Sequence, residues 1–165
     1  METMSVEVPD TDQLLSMTRP ASYGDDTPDG NARGGAFHLS SVLPAISSAI
    51  GHPIPTMVHA DPKRLQEALG LPDASSAVVV LVDGLGYWNI NMRLGHAPYL
   101  RSLMADSANQ RPIATCMPST TVAAMSTFGT GTCPGLTGMT GYTQLNPDTG
   151  EICQLISFKN APAPM

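Results

Sequence analysis

The 165 residues, 42% of them apolar, supply enough length and apolar content for one globular core. Charged residues make up 13%, against roughly 25% in an average domain, and a net charge of −6 with eight Lys and Arg leaves no basic stripe for nucleic acid. No apolar run approaches the roughly 20 residues of a membrane helix, and Cys116, Cys133 and Cys153, odd in number and without a pairing pattern, read as reduced thiols of a cytoplasmic protein.

Residues 1–35, rich in Asp, Thr, Pro and Gly and centred on Asp25-Asp26-Thr27-Pro28-Asp29-Gly30, read as a disordered N-terminal tail. A single domain over residues 36–160 follows. Leu39, Val42, Leu43, Ile46 and Ile50 recur at three- and four-residue spacing and predict an amphipathic helix stopped by Gly51 and Pro53. Asp61 and Pro62 predict the start of a second helix, with Leu65 and Leu69 on one face and Gly70 as its left-handed terminus. Residues 77–82, Ala-Val-Val-Val-Leu-Val, are apolar on both alternations, which predicts a parallel strand covered on both faces and ending at Asp83-Gly84-Leu85-Gly86.

Pro98 opens a helix carrying Tyr99, Leu100, Leu103 and Met104, and residues 113–116 read as the next strand. Strand, helix, strand, helix is the order of an α/β sheet with right-handed crossovers. A helix over residues 122–128 and a glycine-rich turn region through Gly141 come next. Residues 142–145 and 152–158 then flank Asn146-Pro147-Asp148-Thr149-Gly150, the pattern of a hairpin. Residues 161–165 read as a frayed end.

Ligands of open α/β sheets gather beyond the carboxyl ends of the strands, which is where Asp83 stands. An Asp-Gly turn or a helix cap explains the same residue about as well. Ser119, Thr120 and Thr121 precede the helix over 122–128, and hydroxyls there accept from free backbone amides, so the triplet is by itself more often a cap than a nucleophile. A threonine hydroxyl needs activation to attack. A helix terminus offers about 0.3–1 kcal/mol, less than the roughly 1.4 kcal/mol of one pKa unit, whereas a divalent metal lowers the pKa of bound water by several units. A carboxylate and a hydroxyl at the ends of neighbouring strands can share such an ion, which makes Asp83 and Thr121 the leading positions.

Val82-Asp83-Gly84, then Ala97-Pro98-Tyr99-Leu100-Arg101-Ser102-Leu103, then Pro118-Ser119-Thr120-Thr121 and Thr130-Gly131 together resemble the opening portion of the type I phosphodiesterase and nucleotide pyrophosphatase family of the alkaline phosphatase superfamily. The resemblance runs from about residue 77 to about residue 142. It implies a partial alkaline-phosphatase-like sandwich, a mostly parallel sheet with flanking helices. It also implies that Asp83 ligates a metal, that Thr121 both attacks phosphorus and ligates metal, and that two divalent ions, zinc in the family, serve the complete enzyme. The substrate implied is a small phosphodiester or nucleotide, hydrolysed through a phospho-threonine intermediate.

Two departures accompany the resemblance. Where the nucleotide pyrophosphatases place a phosphate-contacting Asn, this sequence has Tyr142 nearby, readable as a phosphate donor or, more commonly, as a buried strand aromatic. The family also completes its metal sites with Asp and His residues well beyond the nucleophile, yet His38, His52, His59 and His96 all precede Thr121. That pattern implies the N-terminal part of an enzyme holding at most a partial metal site. Two further readings stand beside it: a non-catalytic remnant or interaction module that self-associates through an open sheet edge, and a phosphomonoesterase or phosphoglycerate-mutase-like relative. Gly84-Leu85-Gly86 lacks the third glycine of a dinucleotide fingerprint, and no glycine loop leads to Gly-Lys-Ser/Thr.

Overall fold

A computed structural model describes residues 36–157, 159 and 160, so the expected tails, 1–35 and 161–165, lie outside the described residues. Among those described, the chain forms six α-helices: α1 (Val42–Ala49), α2 (Pro62–Leu69), α3 (Tyr87–Met92), α4 (Pro98–Met104), α5 (Thr121–Thr130) and α6 (Pro134–Thr137). Three short strands follow, β1 (Thr143–Leu145), β2 (Ile152–Gln154) and β3 (Lys159–Asn160), in an antiparallel meander of order β1-β2-β3. The mixture of helices and sheet is of the α/β class. The described residues fall into two compact units, one of residues 78–114 and one of residues 36–77 with 115–160.

In the larger unit, α1 packs on α2, and α5 packs on the 3₁₀ turn Leu39–Ser41 that leads into α1. The predicted start and stop of α2 are realised atom for atom. Asp61 Oδ1 accepts from the Arg64 amide at 3.1 Å, Pro62 occupies the first turn, and Gly70 ends the helix at φ 65°. On α1 the buried face differs from the predicted one. Pro44, Ala45, Ser48 and Ala49 are buried, while Val42, Leu43, Ile46 and Ile50 are half-buried. Small residues let α1 lie close to Leu65, Gln66 and Leu69 of α2, all buried, and Ser48 donates to Gln66 Oε1 at 2.8 Å across the contact.

The hairpin is as expected. Leu145 opposes Ile152 and Thr143 opposes Gln154, and the turn closes with Asn146 N–H on Glu151 O and Gly150 N–H on Asn146 O, each at 2.8 Å.

The mostly parallel sheet is not formed among the described residues, where the only ladders are antiparallel. Residues 77–82 adopt no regular secondary structure, and each of their side chains is exposed, Val78 to 92% and Val80 to 80%. Residues 113–116 likewise form no strand beyond a single bridge at Ala114. The physical reason is that a strand apolar on both faces is stable only with a hydrogen-bonded neighbour and cover on each side. The described residues supply neither to residues 77–82.

In the smaller unit, Pro98 starts α4 as expected, and α3 appears without having been signalled by the apolar periodicity. Tyr87 of α3 donates its hydroxyl proton to Gln110 Oε1, and Gln110 in turn donates to the Met104 carbonyl at 2.7 Å, which ties α3 to the end of α4.

Candidate active site

Asp83 belongs to the smaller unit and Thr121 to the larger one. Of the two local explanations for Asp83, the turn is realised: Asp83 and Gly84 form a turn, with Gly84 at φ 70°, a conformation that suits glycine. The cap is not. Gly86, not Asp83, is the N-cap of α3.

Thr120, rather than Thr121, is the N-cap of α5. Its extended backbone and its Oγ1, which accepts from the Ala123 amide at 3.3 Å, satisfy the cap, and its own hydroxyl proton goes to the Thr140 carbonyl at 3.3 Å. Thr121 is thereby the first residue of the helix and is relieved of capping. Its Oγ1 lies 2.8 Å from the hydroxyl of Tyr142. Tyr142 immediately precedes β1 and is 49% exposed, which corrects its reading as a buried strand aromatic. The hairpin explains why: all three residues of β1 are exposed, and the Tyr142 carbonyl is held by the Leu155 amide at 2.8 Å, so the ring is carried on a fixed backbone but outside the core.

The far end of α5 is pinned. Gly131 caps it at φ 62°, Thr56 Oγ1 donates to the Gly131 carbonyl at 2.8 Å, and a Cβ at Gly131 would stand 2.8 Å from Thr56 Cγ2 and 2.9 Å from Pro44 Cγ. The Thr130-Gly131 pair is therefore a helix stop wedged against α1. Val122, Ala123 and Thr127 are buried on the inner side of α5, beside a buried Cys116 in the segment that enters it. The first turn of α5 is thus held at a defined place, with a secondary hydroxyl, a phenol and the positive end of a ten-residue helix in one neighbourhood. Such a group can orient a nucleophilic oxygen and receive an anionic phosphoryl group.

Asp148 and Glu151 lie exposed at the hairpin turn, and His96 lies exposed at the end of a 3₁₀ turn in the smaller unit. His38 and His59 both precede Thr121 and carry no ligand spacing in the sequence. The structure buries both and joins them through Ser40, as described below. The available signal was His38-Leu39-Ser40 at the start of a helix, a spacing that lets a ring nitrogen cap the turn.

The sequence model of type I phosphodiesterase / nucleotide pyrophosphatase matches residues 77–161, just over half of the chain. No curated protein and no solved structure matches. The family acts on small phosphodiester or nucleotide substrates and is typically dependent on divalent metal. Among the described residues no three His, Cys, Asp or Glu side chains come together, whereas zinc sites take three or four such ligands. The described donors do not make up a metal centre. Both Asp83 and Thr121 nevertheless lie within the matched segment, as do Tyr142 and the Thr130-Gly131 stop, and this chain belongs to the type I phosphodiesterase / nucleotide pyrophosphatase family.

Proposed function

We propose that the chain carries the nucleophile-bearing part of a hydrolase of phosphodiester or nucleotide pyrophosphate bonds, with Thr121 as the nucleophile, Asp83 and Thr121 as metal ligands, and Tyr142 as a contact to the phosphoryl group. The observation that supports this most is the pairing of Thr121 Oγ1 with the Tyr142 hydroxyl at the first turn of α5. In this reading Thr121 Oγ1 forms a bond to phosphorus, the bond to the departing alcohol or nucleoside monophosphate breaks, and that group leaves with a proton. The phosphorus keeps its other ester group while bound to Thr121, and water then hydrolyses this phospho-threonine ester to release a phosphate monoester. The helix amides and the Tyr142 hydroxyl hold the phosphoryl oxygens throughout.

Two divalent ions, zinc by family resemblance, belong to the complete enzyme, and Asp83 and Thr121 are at most part of what holds them. The partial alkaline-phosphatase-like sandwich belongs to the same proposal: residues 78–82 become a strand of a mostly parallel sheet once a neighbouring strand pairs with them. Three cysteines, none bonded to another, suit a cytoplasmic setting.

Hydrolysis of a bis-nitrophenyl phosphate with added zinc, lost on Thr121→Ala, is the expected result. A preference for the nitrophenyl monoester over the diester would place the chain with the phosphomonoesterase and phosphoglycerate-mutase-like relatives instead. The second reading, an interaction module without catalysis, is favoured by the exposed apolar run over residues 78–82. It predicts no turnover of either ester and concentration-dependent self-association.

A further inference from the structure

His38 caps the 3₁₀ turn Leu39–Ser41. Its Nδ1 accepts from the Ser40 amide at 3.2 Å and lies 2.9 Å from Ser40 Oγ, which is in turn 2.8 Å from Nε2 of His59, nineteen positions along the chain. Ser40 is fully buried, and both rings are buried with it. Counting protons fixes the direction of this chain. Because His38 Nδ1 receives a backbone N–H, it offers a lone pair, and the proton of the neutral ring sits on Nε2, the nitrogen left for the Thr115 backbone. The Ser40 hydroxyl then gives its proton to His38 Nδ1, and its oxygen accepts from His59 Nε2–H. One arrangement satisfies every group: His59 donates to Ser40, Ser40 to His38, and His38 to the Thr115 carbonyl. Both rings are neutral in it and carry their protons on Nε2.

The surroundings favour that state. Burial, and then the neighbouring His59, push His38 below the ordinary histidine value against the opposing Thr115 bond, and burial pushes His59 down as well. The two helices packed on this turn, α1 and α5, carry no ionisable side chain over their whole length. On the adjoining segments the ionisable groups are the Cys116 thiol, which donates to the Pro118 carbonyl at 3.5 Å, and the exposed His52 and Asp61, the latter engaged with the Arg64 amide. Among the described residues, no carboxylate contributes to the shift of either ring.

We propose that His38, Ser40 and His59 form an acid-sensitive latch: while both rings are neutral, one chain of donors ties the 3₁₀ turn to His59 and to the backbone of Thr115, and a proton on His38 Nδ1 breaks it. The cause is local. A protonated Nδ1 becomes a donor facing two donors, the Ser40 amide and the Ser40 hydroxyl, so the cap is lost and the hydroxyl must turn away. The sign follows: groups whose pKa is lowered by folding contribute stability that is complete above the unfolded value and is lost as the pH falls through the folded value. Since α5 begins with Thr121, opening of the latch also releases the proposed nucleophile from its place; that one consequence rests on the functional reading above, and the latch itself does not.

The test uses the full chain with ¹⁵N-labelled histidine, without substrate, followed by long-range ¹H–¹⁵N spectra from about pH 8 to about pH 5. Both rings are expected as Nε2–H tautomers at the upper end, with coupled titrations below the unfolded value and a urea midpoint that falls over the same range. His38→Asn keeps a capping oxygen but cannot take a proton, and is expected to flatten that fall. Ser40→Ala is expected to uncouple the two titrations. A His38 ring protonated on Nδ1 at the upper end, or two independent titrations at the ordinary histidine value, would overturn the latch, as would an unchanged pH dependence in His38→Asn. A chain that hydrolyses no phosphodiester yet shows the coupled titrations would leave the latch standing and remove only its link to Thr121.

Discussion

The hydroxyl of Tyr142 lies 2.8 Å from Oγ1 of Thr121, joining the residue before the hairpin to the first residue of α5. Thr120 takes the capping role at the start of α5, so the N-cap acceptor is not Thr121 Oγ1. The pairing gives the candidate site its most specific geometry.

Tyr142→Phe is expected to lower phosphodiester turnover about tenfold, the equivalent of about 1.4 kcal/mol for one hydrogen bond lost at the reacting group. The ring is half-exposed, so stability is expected to change by no more than about 0.5 kcal/mol. Steady-state kinetics paired with urea unfolding separates the two effects. An equal loss of activity and folding would make Tyr142 structural.

Gly131→Ala is expected to cost about 2 kcal/mol of stability or more. It combines a left-handed φ of 62° with a Cβ placed 2.8 Å from Thr56 Cγ2 and 2.9 Å from Pro44 Cγ, where the proline ring has little freedom to move. Urea unfolding of the variant measures it, and a cost within a few tenths of a kcal/mol would show that the end of α5 is not wedged.

Thr127 is fully buried, and its Oγ1 finds no hydrogen-bond partner among the described residues. Thr127→Val keeps the shape and removes the unsatisfied hydroxyl, so the variant is expected to be more stable by about 1 kcal/mol. A loss of comparable size on unfolding would reveal a partner for the hydroxyl.

Val80→Lys addresses the exposed run of residues 78–82. Five apolar residues in succession with high β-propensity and no charge can pair with a second chain, and a lysine there opposes pairing. On the interaction-module reading, sedimentation at increasing concentration shows association in the wild type that the variant loses while its unfolding midpoint is unchanged. Identical sedimentation of the two would count against this segment as the contact.

Much of the local structure was legible because single residues enforce it. Asp61, Pro62 and Gly70 delimit α2, and Asn146 to Gly150 close the hairpin, each through a backbone requirement that needs no distant partner, whereas α5 runs on through Gly129 to Thr130, past the end expected at residue 128. The buried face of α1 was misread because periodicity weighs Val42, Leu43 and Ile46 by apolarity, whereas close helix approach selects Ala45, Ser48 and Ala49 for size. Residues 77–82 failed for the opposite reason: a strand depends on what pairs with it, and composition records only the demand. At the candidate site, the family resemblance singled out Asp83 and Thr121, and the direct bond between Thr121 and Tyr142 depends on how the hairpin returns to α5. The His38-Ser40-His59 chain was hidden by its separation in sequence.

The most direct test of the account is peptide mass spectrometry of the chain quenched in acid after mixing with a nitrophenyl phosphodiester and zinc. The account predicts on Thr121 a phosphoryl group that still carries its second nitrophenyl ester, absent in Thr121→Ala together with all turnover. A phosphoryl group on Thr120 or Ser119 instead, or turnover that survives in Thr121→Ala, would contradict it.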